Sequence, residues 1–436
     1  MKNDPYARCL EQMFRLRRFG IKLGLDLIGT ILDRLGNPHT RYRTIHIAGT
    51  NGKGSVAAYL SAILKCAGYR VGRYTSPHLE RFNERICIDD RPIADDEVVD
   101  TYRRVRNVGD LDREPTFFEF ATAMALDAFA RHRVQWAVIE TGMGGRLDAT
   151  NVIVPQLSVI TNISLEHKEY LGTGLAAIAG EKAGIIKPGV PAVCGARQAA
   201  ARGVITARAE KMSAPLYFLG RHYRVRKKPG SDHFNYHGIH HKWRDLHTSL
   251  IGRHQLENAA HALAACDLLK NRGQLDLDRN TVARGLAMAR WPGRLEIVMH
   301  RPLVILDGAH NLAAARNLAR HLESSYRGRK ITMVVGILDD KPFASILGHL
   351  ARCCRKMIFT QPEIGRAVPA RRLYRAAAAY NIERQIHVPV AEAVGRAIEA
   401  AGADEVVCIA GSLYVVGEAK TALSAWLPSR MTEDGK

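Results

Sequence analysis

The chain has 436 residues, 47% hydrophobic and 24% charged, a globular mixture that excludes a disordered or low-complexity polymer. Lys and Arg number 63 against 43 Asp and Glu, a formal charge of +20 that attracts polyanions and small anionic metabolites alike. No run of about 18 uncharged apolar residues offers a membrane span, the opening Met-Lys-Asn-Asp-Pro-Tyr-Ala-Arg has no signal-peptide core, and the eight cysteines form no C-x-x-C pair, so a soluble cytoplasmic protein without a zinc ribbon or disulfide framework is expected.

The elements follow in chain order. Residues 44–48 (TIHIA) predict a short buried strand, and 54–67 predict a helix that stops at Gly68. Strands are expected at 70–75, 135–140, 157–163 and 190–194, with a strong amphipathic helix at 117–131. Such alternation implies a parallel sheet covered by helices. Residues 216–250 lose helical periodicity and read as a small antiparallel β element. The basic excess concentrates around it, with 11 Lys and Arg against three Asp and Glu between Ala201 and His254. No aromatic-basic RNA motif accompanies that excess. His233, His237, His240 and His241 lie there without metal-ligand spacing and read as a solvated hairpin. A helix follows at 256–269, and Trp291–Arg294 (WPGR) is a turn-rich break. A second α/β pattern then begins, with strands at 303–306, 331–335, 356–360 and 405–410 and a helix at 391–401. The expected fold is α/β throughout. A P-loop, parallel-sheet ATPase domain (1–295, β element about 216–250) precedes a Rossmann-like domain (296–436).

The sharpest chemical signal is His46-Ile-Ala-Gly-Thr-Asn-Gly-Lys-Gly-Ser55. A strand runs into glycines and Lys53 and then directly into a helix, an arrangement that aims backbone N–H groups at phosphate. It departs from the regular Walker A spacing, because Gly54 separates Lys53 from Ser55. Glu140 ends a buried strand beside a glycine turn. An oxygen ligand for Mg²⁺ fits there, and so does an N-cap or salt-bridged carboxylate. Phe117 and Phe118 can stack on a flat heterocycle or serve the core. Lys182 and His167, taken alone, read as solvated surface groups.

The T-N-G-K-G-S spelling resembles the phosphate loop of the folylpolyglutamate synthases, a branch of the Mur-ligase superfamily. Further blocks resemble that family in order. They are Phe19–Leu25 (FGIKLGL), Thr75–Leu79 (TSPHL), Pro115–Glu119 (PTFFE), Glu140–Asn151 (ETGMGGRLDATN), Glu181–Ile185 (EKAGI), Pro292–Arg294 (PGR) and Asp307–Asn311 (DGAHN). The resemblance implies ATP-dependent addition of L-glutamate to dihydropteroate or folate through an acyl phosphate. It implies ATP contacts at Thr50, Asn51, Gly52, Lys53, Gly54, Ser55, Asn258, Arg294 and Asp307. It implies magnesium ligation by Ser76, Glu140, His167 and a carbamylated Lys182, with Glu166 standing where the family usually has Asp. It implies pterin-side contacts at Thr116, Phe117, Phe118, Glu119, Arg146, Leu147 and Asp148, and catalytic roles for Lys53, Lys182 and His310. The implied cofactors are ATP and Mg²⁺, with a monovalent cation as a further candidate. The implied partners are small molecules, with no nucleic acid or membrane, acting on a monomer. A cell-wall Mur ligase and a nucleic-acid-binding P-loop NTPase are the alternatives.

Overall fold

The computed structural model describes residues 4–16, 20, 22 and 24–431. Phe19, Ile21 and Leu23 of the FGIKLGL block lie outside the described residues. The chain forms two compact units, Met1–Ser249 with Gln255–Arg290, and Leu250–His254 with Trp291–Lys436.

In chain order the first unit contains α1 (Pro5–Arg15), α2 (Asp26–Arg34), β1 (Arg43–Ala48), α3 (Lys53–Cys66), β2 (Val71–Tyr74), β3 (Ile86–Ile88) and β4 (Arg91–Pro92). Next come α4 (Asp95–Arg106), α5 (Phe117–Arg131), β5 (Trp136–Glu140), β6 (Leu157–Ile160), α6 (Lys168–Leu171), α7 (Leu175–Ala183), β7 (Ala192–Cys194) and α8 (Ala199–Lys211). It closes with β8 (Leu216–Phe218), β9 (Arg224–Lys227), β10 (Phe234–His237), β11 (Lys242–Leu246), α9 (Arg253–Asn271, its first two residues assigned to the second unit) and α10 (Arg279–Met288). Among the described residues the large sheet has eight strands in the order β4-β3-β2-β5-β1-β6-β7-β8. Its central strands are buried along their length, as strands covered by helices on both faces must be. On one side Ala121, Met124, Ala125 and Phe129 of α5 join Tyr74, Ala137 and Ile139 in one core. Another core packs Ile178, Ala183, Ile185 and Ile205 with Ala48, Ile160 and Cys194. Each fully buried Leu, Ile or Phe in these layers contributes about 1.5–3 kcal/mol.

The sheet is not parallel throughout. β3 turns back antiparallel on β2, and β4 on β3, so the edge is a hairpin. Two-residue β4 carries Pro92, and a short proline-bearing edge is a poor template for another chain. The expected antiparallel element at 216–250 also divides. β8 pairs parallel with β7 and completes the large sheet, while only β9–β11 form the separate three-stranded antiparallel sheet.

The second unit holds β12 (Glu296–His300), β13 (Leu303–Leu306), α11 (Leu312–Ser325), β14 (Ile331–Val335), α12 (Phe343–Leu350), β15 (Lys356–Phe359), α13 (Ala370–Ala376), β16 (Glu383–Ile386), α14 (Val390–Glu399), β17 (Val406–Ala410) and α15 (Leu413–Met431). Among the described residues its six strands run β12-β13-β17-β14-β15-β16. All neighbours are parallel except β12, which pairs antiparallel with β13 at the edge of the expected Rossmann-like α/β sheet. Alternate residues Ile305, Met333, Val335, Met357, Phe359 and Cys408 share one face with buried residues of α11 and α12.

Candidate active site

The register of the large sheet decides what meets. β1 lies parallel between β5 and β6, with Ile47 opposite Glu140 and Ala48 opposite Ile160. β2 lies beyond β5, with Tyr74 opposite Ile139. Four segments therefore leave the same carboxyl edge side by side. They are Thr75–Ser76 after β2, Glu140 at the end of β5, Gly49–Lys53 after β1, and Thr161–His167 after β6. In an open α/β sheet this edge is where ligands bind.

The loop after β1 is clamped by the loop after β6. Thr50 N–H donates to Asn162 O at 2.9 Å, Asn51 N–H to Asn162 Oδ1 at 3.1 Å, and Thr161 Oγ1 to Asn51 O at 2.7 Å. Glycine is needed at both ends. Gly49 has φ +144°, and a Cβ there would meet Thr161 Oγ1 at 1.9 Å. Gly52 has φ +89°, and a Cβ would meet Asn258 Oδ1 at 2.3 Å. Gly52 is also the N-cap of α3, which has no side-chain cap and no acid in its first turn. The first N–H groups of this 14-residue helix, at Lys53, Gly54 and Ser55, are thereby left for an anion. Asn258 of α9 packs over that N-cap and donates to Gln255 Oε1 at 2.9 Å.

Two lysines converge on one carbonyl. Lys53 Nζ donates to Gly49 O at 3.0 Å and to Thr50 O at 3.3 Å, and stands 3.8 Å from Glu140 Oε1. Lys182 Nζ, from α7, donates to the same Gly49 O at 3.0 Å and pairs with Glu166 Oε1 at 2.7 Å. Lys182 is only 1% exposed, so the helix lysine that its neighbours alone would leave in solvent is interior. Burial, aided by the Lys53 charge, lowers its pKa despite the opposing pull of Glu166. Burial would raise Glu166, yet Lys182 and Lys53 together hold its carboxyl below the usual range.

The turn from Gly142 to Asn151 joins Glu140 to the helix of Lys182. Arg146 N–H donates to Glu181 O at 2.7 Å, its guanidinium pairs with Glu181 at 2.9 Å, and Asn151 Nδ2 donates to Arg146 O. Leu147 is half-buried. Asp148 accepts from Met143 N–H at 2.8 Å and Thr150 N–H at 3.1 Å, while burial raises its pKa against those bonds. At the start of α5, Thr116 and Glu119 close a capping box, and Arg113 grips Glu119 with two bonds of 3.0 and 2.7 Å. Phe117 and Phe118 are both half-exposed but separate. Phe117 packs with Phe14 and Phe82 under the Arg85 guanidinium, and Phe118 lies against Tyr74 and Gly142.

Ser76 is half-buried and His167 is exposed, with φ +44°. Among the described residues no three His, Cys, Asp or Glu side chains form a metal cage. The buried carboxylate of Glu140 at the edge suits a magnesium ion whose shell is completed by water and phosphate oxygens. In the second unit, Asp307 follows β13, accepting Leu295 and Ala309 N–H at 2.9 Å each. Burial raises its pKa while Arg294 opposes the shift. His310 Nδ1 donates to Gly308 O at 2.8 Å.

Glu166, Thr161, Asn162 and His261 belong to this edge although motif reading assigned them no role. His261 of α9 lies between Tyr223 OH, at 2.8 Å from Nδ1, and the Thr161 carbonyl. The signal for the first three was the polar run TNISLEH directly after a buried strand. His261, about 100 residues away in sequence, carried none.

A family profile described as Mur ligase middle domain matches residues 47–266, and one described as Mur ligase, glutamate ligase domain, matches residues 293–413. The chain is 37% identical over 416 residues to the dihydrofolate synthase/folylpolyglutamate synthase of Bacillus subtilis, covering 93% of this chain and 96% of that one. It is 31% identical to the protein of the same name from Escherichia coli, covering 97% and 96%. Among solved structures it resembles E. coli FolC in complex with DHPP and ADP, with a TM-score of 0.89, 30% identity and coverage of 97% and 98%. It also resembles the bifunctional Yersinia pestis folylpolyglutamate synthase/dihydrofolate synthase complexed with AMPPNP and Mn ion, with a TM-score of 0.87, 31% identity and coverage of 97% and 98%.

Proposed function

Because this chain belongs to the dihydrofolate synthase/folylpolyglutamate synthase family of Mur ligases, and so is an ATP-dependent ligase of L-glutamate, we propose that the carboxyl edge of its large sheet is where the acyl phosphate forms and is resolved. A carboxylate is anionic and has no leaving group. Phosphorylation by ATP supplies one, the glutamate amine attacks the acyl carbon, and phosphate departs. The protein's part is placement and charge stabilisation.

The observation that carries this reading is the glycine-capped start of α3 with Lys53 folded beside it, 3.8 Å from Glu140. With nucleotide present, Lys53 leaves the Gly49 and Thr50 carbonyls for phosphate, and the N–H groups of Gly52, Lys53, Gly54 and Ser55 hold the same anion. Thr50, Asn51 and Asn258 shape the loop, while Arg294, Asp307 and His310 serve ATP and the reaction from residues 296–436 and the turn before them. Thr116, Phe117, Phe118, Glu119, Arg146, Leu147 and Asp148 form the pterin side.

Ser76, Glu140, His167 and a carbamylated Lys182 would hold magnesium, which when bound offsets charge on the transferring phosphoryl group. Carbamate formation needs an amine without its proton, and the burial that lowers the Lys182 pKa favours that form. The chain works in the cytoplasm as a monomer, glutamylating both dihydropteroate and tetrahydrofolate.

Phosphate release is the test, measured with ATP and dihydropteroate, tetrahydrofolate or a UDP-muramyl peptide, each with its amino acid. The two pterins should be ligated and the muramyl peptide should not. Lys53→Ala should lower the rate by on the order of 10² or more, the usual loss when a preorganised charge is removed. A folded Lys53→Ala protein with near-normal turnover would remove Lys53 from the chemistry.

A further inference from the structure

The turn that carries Asp148 is not held by its own residues alone. His46, in the middle of β1, is fully buried, and its Nε2 lies 2.9 Å from Thr150 Oγ1. Thr150 Oγ1 lies 2.5 Å from Asp148 Oδ1. A hydroxyl has one hydrogen. Both Asp148 oxygens already accept backbone N–H groups, so the carboxylate acts as acceptor and that hydrogen points to it. Thr150 Oγ1 must then accept from His46, which carries its proton on Nε2. The other ring nitrogen, Nδ1, has no partner among the described residues. Burial, with Lys187 nearby, pushes the ring's pKa down to about 3, so it stays neutral.

We propose that His46 is a positioning residue for the pterin side of the site, its Nε2–H acting through the Thr150 hydroxyl to fix the Asp148 carboxylate and the Gly142–Asn151 turn. The inference rests on the reading of Asp148 as a pterin-side contact. A strand residue is suited to this work because β1 is the central strand, paired on both sides. Without the donor, the Thr150 hydroxyl is free to rotate away from Asp148. His46 is also three residues before Gly49, so a merely structural fault at this position would spread to the phosphate loop. The two cases separate by substrate.

The test is steady-state kinetics on the full chain, with KM for dihydropteroate and for ATP measured separately and the melting temperature recorded. His46→Leu should raise the dihydropteroate KM about tenfold, the usual effect of losing one buried hydrogen bond, and leave the ATP KM within about twofold. His46→Gln, which offers a side-chain N–H in the same region, should recover most of that loss. Thr150→Val should reproduce the His46→Leu pattern, and the double variant should be no worse than Thr150→Val alone. If His46→Leu fails to fold, His46→Gln and Thr150→Val carry the test. The proposal falls if the dihydropteroate KM is unchanged, if the ATP KM rises in parallel, if Gln does no better than Leu, or if the two substitutions add. Asp148→Asn separates the failures. If it raises the dihydropteroate KM while His46→Leu does not, the relay alone is wrong. If it leaves that KM unchanged, the pterin-side reading is wrong and the relay falls with it.

Discussion

Lys53 and Lys182 share the Gly49 carbonyl, and each has its own glutamate, Glu140 and Glu166. Amines held this close disfavour each other's charge, and the Lys53 charge adds to burial in lowering the Lys182 pKa. Buried histidines add a second electrostatic feature to the same unit. Burial pushes His46 down to about 3 and His261 to about 4. The unfolded chain protonates such rings near pH 6.5, so below that value it binds more protons than the folded chain. Stability is therefore complete above about pH 6.5 and falls as pH drops toward 4, by up to about 1.4 kcal/mol per pH unit for each ring. The first thermal transition should move down between pH 7 and pH 5, and the shift should shrink in His261→Gln. An equal shift in that variant would show that other groups control the acid limb.

At the scale of elements, the phosphate loop is fixed by neighbours on both sides, β6's loop beneath it and α9 above. Gly52 sits between a φ only glycine adopts readily and a Cβ position already taken by Asn258. Gly52→Ala should therefore displace either the loop or Asn258. ATP affinity, read by calorimetry, should fall at least about tenfold, and the protein should lose more than the roughly 0.4–1 kcal/mol that an unstrained Gly→Ala change adds. Unchanged affinity would mean that nucleotide does not use this loop geometry. The sequence made the loop and α3 legible, because a β-branched run ends in glycines and is followed by apolar residues at helical spacing. It left β3, β4 and β12 unread. β4 and β12 are sheet edges open to water, with neither a continuous apolar run nor a clean alternation, and β3, though paired on both sides, is three residues long, too short to show a period.

At the scale of the molecule, the two units have their own sheets and their own cores, and a glutamate ligase domain profile matches only residues 293–413. A chain ending at Arg290 should keep the eight-stranded sheet but form no glutamate adduct from ATP and dihydropteroate. Ligation at the full-length rate would require another role for residues 291–436. The sequence by itself determined the α/β class, the order of its motifs, and the chemistry of a phosphate loop followed by a buried strand ending in Glu140. Those features are local, written in periodicity, glycine placement and residue type within some 15 positions. It did not determine that Lys182 is buried against Gly49 and Glu166, that His261 braces the Thr161 loop, or that His46 reaches Asp148 through Thr150. Each of these joins segments 100 or more residues apart for Thr161–His261 and His46–Thr150, and over 130 apart for Gly49–Lys182. Only the strand order, with β5 inserted between β1 and β2 and β6 added on the far side, brings them to one edge, because burial and partner choice are properties of the packed sheet rather than of any single stretch of chain.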